Sequence, residues 1–254
     1  MPLPTSVTWP DLLVPIWLVA AWVGYVLVAD HPRRGRTTLM ARMHQYRQAW
    51  MRRMLGRDNR IVDTQIVSLL VQNISFFASS TILIVGGFVA VLGARDQALS
   101  ILAEIPFAAR TGDTLWDIKI LTLIIIFVYA FFKFTWALRQ FNYVAIMIGS
   151  APPPTKTPSP AAVDLADRTA RVATRAAEHF NKAMRAFYFG LATLSWVIQP
   201  WLCMLLIAWV TAIVYRREFR SATLVGLGMV GEPIGDQTSV SPASIDSTQA
   251  TRLG

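Results

Sequence analysis

The sequence predicts an all-α fold, a polytopic helical membrane protein with four transmembrane helices and amphipathic cytoplasmic helices attached to them. Three observations carry that reading. Residues 12–29, 64–94 and 186–215 contain no formal charge, and residues 120–138 contain only Lys133. Each run is long enough to cross ~30 Å of hydrocarbon at ~1.5 Å per residue. Apolar residues make up 54% of the 254 positions, more than a soluble domain sustains in runs of this length. The arginines, finally, are unevenly shared between the runs. Nine separate the first two (Arg33, Arg34, Arg36, Arg42, Arg47, Arg52, Arg53, Arg57 and Arg60), and two separate the second from the third (Arg95 and Arg110).

The first span is placed near 11–29. Residues 1–10 hold no Lys or Arg, so the charged start of a signal peptide is missing. The run leads instead into His31-Pro32-Arg33-Arg34-Gly35-Arg36, a stop-transfer flank, and is read as a retained helix. From 38 to 55 the apolar residues Leu39, Met43, Tyr46, Trp50 and Met54 recur at steps of four and three, which puts them on one helical face. That face either lies on anionic lipid or packs on the protein's own cytoplasmic segments. Arg33, Arg34, Arg36, Arg42, Arg52 and Arg53 are the candidate lipid contacts, and Asp58 or Asn59 caps the next helix.

The second span, near 64–94, carries Gln65, Ser68, Gln72, Ser75 and Ser79 at helical spacing, and the third, near 117–143, carries Tyr129, Lys133, Trp136, Gln140 and Tyr143. Trp116 and Trp136 stand about one bilayer thickness apart, as an aromatic belt would. The fourth span, near 186–215, offers Tyr188, Ser195, Gln199 and Cys203. Polar groups at membrane depth need partners there. Gln72, Asn73, Ser75, Ser79, Lys133, Gln140 and Gln199 are therefore the candidate intramembrane polar face, serving helix packing or, alternatively, lining a path. Lys133 lies near enough to Trp136 to snorkel to the interface.

Five prolines fall between 151 and 160 and form a short extended linker. The charges Asp164, Arg168, Arg171, Arg175, Glu178, Lys182 and Arg185 then follow at steps of four and three. They define an amphipathic extension, 161–185, expected to run on as one long helix into the fourth span, with its charged face solvated. Residues 221–254 read as a disordered tail.

Lys and Arg counts orient the chain. The 30–63 loop holds nine and the 150–185 segment holds six, so both face the cytoplasm and four spans leave both termini outside. The lone cysteine and three unspaced histidines support no metal site, and no catalytic motif is present, so neither enzyme nor cofactor is expected. The net charge of +9 sits beside spans rather than along an exposed basic face, which suits anionic headgroups rather than nucleic acid.

Several blocks resemble a catalogued bacterial and plant membrane family, domain of unknown function 599. They are 57–63 (Arg-Asp-Asn-Arg-Ile-Val-Asp), 75–81 (Ser-Phe-Phe-Ala-Ser-Ser-Thr), 130–136 (Ala-Phe-Phe-Lys-Phe-Thr-Trp), 138–143, 185–190 and 216–219. The resemblance implies a polytopic helical membrane protein and supplies no functional residues. The expected function is a non-enzymatic component of a bacterial plasma membrane that self-associates or scaffolds a membrane partner. A small oligomeric channel or transporter is the alternative.

Overall fold

The computed structural model describes residues 8–30, 38–106, 108–109, 111–219 and 227. The predicted tail, apart from residue 227, and Arg33, Arg34 and Arg36 lie outside them. Among the described residues seven α-helices follow in order: α1 (Trp9–Asp30), α2 (Leu39–Met54), α3 (Ile61–Gly93), α4 (Arg95–Glu104), α5 (Asp113–Gly149), α6 (Pro160–Leu194) and α7 (Pro200–Phe219), with a 3-10 turn at Ser195–Val197. The described residues contain no strand. Residues Trp9–Val28, Ile61–Gly93 and Asp113–Gly149 are long and apolar enough to cross a membrane.

The centre of the fold is the α5–α6 hairpin. On α5 the buried residues Phe127, Ala130, Phe134, Ala137, Phe141, Val144 and Ile148 alternate steps of three and four, a seven-residue repeat that keeps one seam facing a partner helix. The facing seam of α6 is mostly alanine: Ala162, Ala166, Ala173, Ala176, Ala183 and Ala186 are all buried. Small residues there let the bulky α5 side chains seat between turns, and the two helices run antiparallel. Ring contacts mark the register, with Phe127 5.6 Å from Phe187 and Phe134 5.8 Å from Phe180. Ser159 caps α6 by accepting from the Ala162 N–H at 3.2 Å, and Pro160 occupies its first turn, where its missing donor is harmless.

The remaining helices pack onto this hairpin. α3 lies antiparallel along α5 through Val67, Ile74, Ala78 and Thr81, and Phe77 stacks on Phe134 at 5.7 Å. α2, capped by Thr38, packs on α6. The Arg52 guanidinium makes two 2.9 Å bonds to Asp167, an exposed pair that contributes little. The amphipathic helix predicted over 38–55 is thus present, with its apolar face on protein. Arg60 donates to the Ala151 carbonyl at 2.6 Å and holds the proline linker against the start of α3.

The predicted fourth span is corrected. Residues 186–215 are not one helix. α6 ends at Leu194, and α7 begins at Pro200 and runs back beside it, with the Cys203 sulfur 4.0 Å from the Thr193 carbonyl and the Arg217 guanidinium 5.9 Å from the Tyr188 ring. Pro200 has no N–H to continue the α6 ladder, and its ring obstructs the preceding turn. Trp196, buried at the turn, donates to Asp11 at 3.0 Å and anchors the reversal to α1.

This hairpin reverses the chain once more, so the ends of the described chain lie at opposite ends of the bundle rather than together. Thr8 bonds Asp11 at one end. Tyr46 of α2 donates to the Leu227 carbonyl at the other.

An apolar belt surrounds the half of the bundle away from α2, with Ile16, Leu83, Ile125 and Leu205 exposed on four helices. Arg95, bonded to Asp117 at 3.3 Å, marks its far edge. Lys133, Lys182, Arg185 and Arg217 mark its near edge. α3 and α5, at 33 and 37 residues, extend ~50 Å or more, so their α2-proximal parts stand outside the belt. Trp136 is exposed near that edge, whereas Trp116 is buried and forms no outward belt at the other.

Candidate functional site

Where α1, α2, α6 and α7 meet at the near edge of the belt they enclose a cavity of about 750 Å³. α6 supplies one wall: Arg171, Arg175, Glu178, Lys182 and Arg185 fall at steps of four, three, four and three, which align them on one face. α7 brings Arg217 and Glu218 to the opposite wall, while α2 contributes Thr38 and His44 and α1 contributes Tyr25. Five cationic side chains thus face two carboxylates. None of the five makes an ion pair with a described residue, in contrast to Arg52, Arg57, Arg95, Lys119 and Arg168.

Aromatic rings hold two of these cations in place. The Arg185 guanidinium lies 5.0 Å from the Tyr25 ring centroid and also bonds the Tyr25 hydroxyl, and Arg217 covers Tyr188, contacts that orient both cations. His44 Nδ1 meets the Thr174 hydroxyl at 2.9 Å on the floor. Nearby, burial first and then Lys133 and Lys182 push the His179 pKa below the ordinary histidine value. Those lysines raise the local positive potential.

The sequence-predicted polar face does not assemble. Gln72, Asn73 and Ser79 are exposed, Ser75, Lys133, Gln140 and Gln199 are half-buried, and the set runs from the α2 end to the turn before α7. Gln72, Asn73 and Ser75 precede Phe77, which stacks at the level of Phe134 beside Lys133, so they lie at or past the belt edge. An uncharged helix longer than the belt hides where the belt stops. Only Lys133 reaches the cavity region, with its Nζ 5.4 Å from the Tyr129 ring.

The arginines of α2 are also elsewhere: Arg42 is buried, Arg52 is paired with Asp167, and Arg53 is exposed. Asp63 is buried and accepts from Trp50 at 2.7 Å and Arg57 at 2.5 Å, and Asn59 caps α3 through the Ile61 N–H. Among the described residues no three His, Cys, Asp or Glu side chains cluster as metal ligands do. The α6 cations had a readable signal in their spacing. Arg217 had none, since only the return of α7 brings it opposite them.

Helix content, the apolar belt and the charge-rimmed cavity define the class: an all-helical integral membrane protein with a basic recess at one edge of its apolar surface. The chain belongs to the family described as Protein of unknown function, DUF599, whose profile matches residues 12–223. No curated protein matches the chain significantly, and no solved structure does.

Proposed function

We propose that this chain is a non-enzymatic component of a bacterial plasma membrane that captures anionic, phosphate-bearing headgroups in its basic recess. The α2 end lies in the cytoplasm, because the arginine-rich 38–63 and 150–185 segments both belong to it. α1 starts outside, and α7 returns to the inner surface. The carrying observation is the set of five cations around one cavity at the belt edge that make no ion pair among the described residues. Guanidinium forks match phosphate oxygens, and a rim at headgroup depth lets the anion bind without leaving its bilayer.

Arg175→Gln with Arg217→Gln tests this in purified full-length protein. At about 1 kcal/mol per cation near a membrane surface, the pair is expected to lower retention of anionic phospholipid roughly thirtyfold. The check is mass spectrometry of the lipid carried through purification. Retention equal to wild type would sink the reading.

Self-association is a second reading, favoured by α3. Its residues Ile61, Val62 and Leu69 are exposed beyond the belt, where water rather than lipid would meet them, and Gln65, Ser68 and Gln72 are exposed beside them. A second copy of the chain covers such a surface. Leu69→Lys is then expected to reduce the particle mass in native nanodiscs to that of a monomer. An unchanged mass in the variant, or a monomeric wild type, counts against it.

A further inference from the structure

The recess is continuous with an apolar groove that runs from it along the belt. This groove, about 340 Å³, lies between α1, α5 and α6 and shares Tyr25, Lys182 and Arg185 with the basic cavity. Its walls are aromatic: Trp22 stands 5.6 Å from Tyr129 and 5.3 Å from Phe189. Lys133 joins Lys182 and Arg185 among its lining residues. A second apolar groove, between α6 and α7, also meets the cavity, sharing Val214 and the single cation Arg217.

Resting on the headgroup reading above, we infer that the site takes one whole lipid ending in a phosphate monoester, with its head in the recess and its hydrocarbon chain in the Trp22–Tyr129–Phe189 groove. Charge selects the head. Five cations against two carboxylates leave a formal excess of three positive charges, which suits a dianion better than a zwitterion or a phosphodiester monoanion. Continuity selects the chain. A soluble phosphate compound would use the recess alone, whereas the groove opens beside the same two cations and runs on along Trp22, Tyr129 and Phe189, walls that reward hydrocarbon. The groove between α6 and α7 is the poorer seat because only one cation joins it to the head.

The test measures binding of dioleoyl phosphatidic acid, its water-soluble dibutanoyl analogue and inorganic phosphate to the full-length protein in detergent, by native mass spectrometry. Wild type is expected to hold one dioleoyl molecule per chain, at least ~tenfold more tightly than the dibutanoyl analogue, since several additional buried CH₂ groups each add to chain burial. Val23→Trp and, separately, Leu27→Trp narrow the groove at half-exposed or exposed positions of α1. Either is expected to reduce dioleoyl affinity to the dibutanoyl level while leaving dibutanoyl binding unchanged.

If both variants keep the full chain-length advantage, the groove is not the seat and this inference falls, while headgroup capture stands. Inorganic phosphate binding as tightly as the dioleoyl lipid overturns the inference in the same way and identifies a soluble ligand. Should Arg175→Gln with Arg217→Gln leave all three ligands unaffected, the headgroup reading falls as well.

Discussion

Lys119→Met is expected to destabilise the protein by about 3–5 kcal/mol, the usual cost of removing one member of a buried ion pair. Lys119 Nζ lies 3.3 Å from Asp11 Oδ1, with side-chain exposures of 1% and 2%. The carboxylate also accepts from Trp196 Nε1 at 3.0 Å and from the Thr8 hydroxyl, while Lys119 donates to Thr111 at 3.2 Å and sits over the Trp196 ring. One cluster thus joins α1, α5, the loop before α5 and the α6–α7 turn. With the ammonium gone, Asp11 keeps three donors, from Trp196 and from the hydroxyl and N–H of Thr8, and no counter-charge in an interior that cannot hydrate it.

The double variant Asp11→Asn with Lys119→Met removes both charges and is expected to recover most of the loss, because the coupling between contacting groups is far from additive. Denaturant unfolding in mixed micelles, run as a double-mutant cycle, gives the number. A single-variant loss under about 1 kcal/mol, the range of exposed pairs, would show that the pair is not buried as described.

Gly190→Ala is expected to cost about 1–3 kcal/mol, and Gly190→Leu more. In an ordinary helix interior Gly→Ala gains roughly 1 kcal/mol, so the sign itself is diagnostic. A Cβ at position 190 would stand 2.8 Å from both Cε2 and Cζ of Phe127 and 3.3 Å from the Ile126 side chain. Phe127 has no room to turn away. It is 1% exposed and held between Phe88 at 5.7 Å and Phe187 at 5.6 Å. Gly190 is the position in the α6 seam that meets Phe127, the first large ring of the seven-residue repeat of α5. Phe127→Leu is therefore expected to relieve much of the cost of Gly190→Ala when the two are combined. A neutral or stabilising Gly190→Ala alone would show that α5 and α6 are not packed this closely.

Much of the fold was legible in local pattern. The apolar runs marked α1, α3 and α5. The four- and three-residue steps of Leu39, Met43, Tyr46, Trp50 and Met54 marked α2, and the proline cluster marked the linker before α6. The α5–α6 seam was also written in the sequence, in the alternating steps from Phe127 to Ile148 facing the alanines of α6. One judgement failed for a physical reason. The run 186–215 lacks charge throughout, and hydropathy does not record that Pro200 reverses the chain. Residues 64–94 lack charge as well, so nothing local separates the part of α3 inside the belt from the part beyond it.

The sequence by itself determined the helical class, the membrane character, the amphipathic faces of α2 and α6 and the crowding of arginines toward one end. All of these follow from periodicity and transfer energy, which act over a few turns of one helix. Only the tertiary structure decided which faces meet. It folded α7 back along α6, brought Arg217 opposite Arg175 and Arg185, and turned the polar side of α3 outward. It also buried Asp11 against Lys119, 108 positions away along the chain. Such pairings depend on packing between distant elements, and no local pattern specifies them.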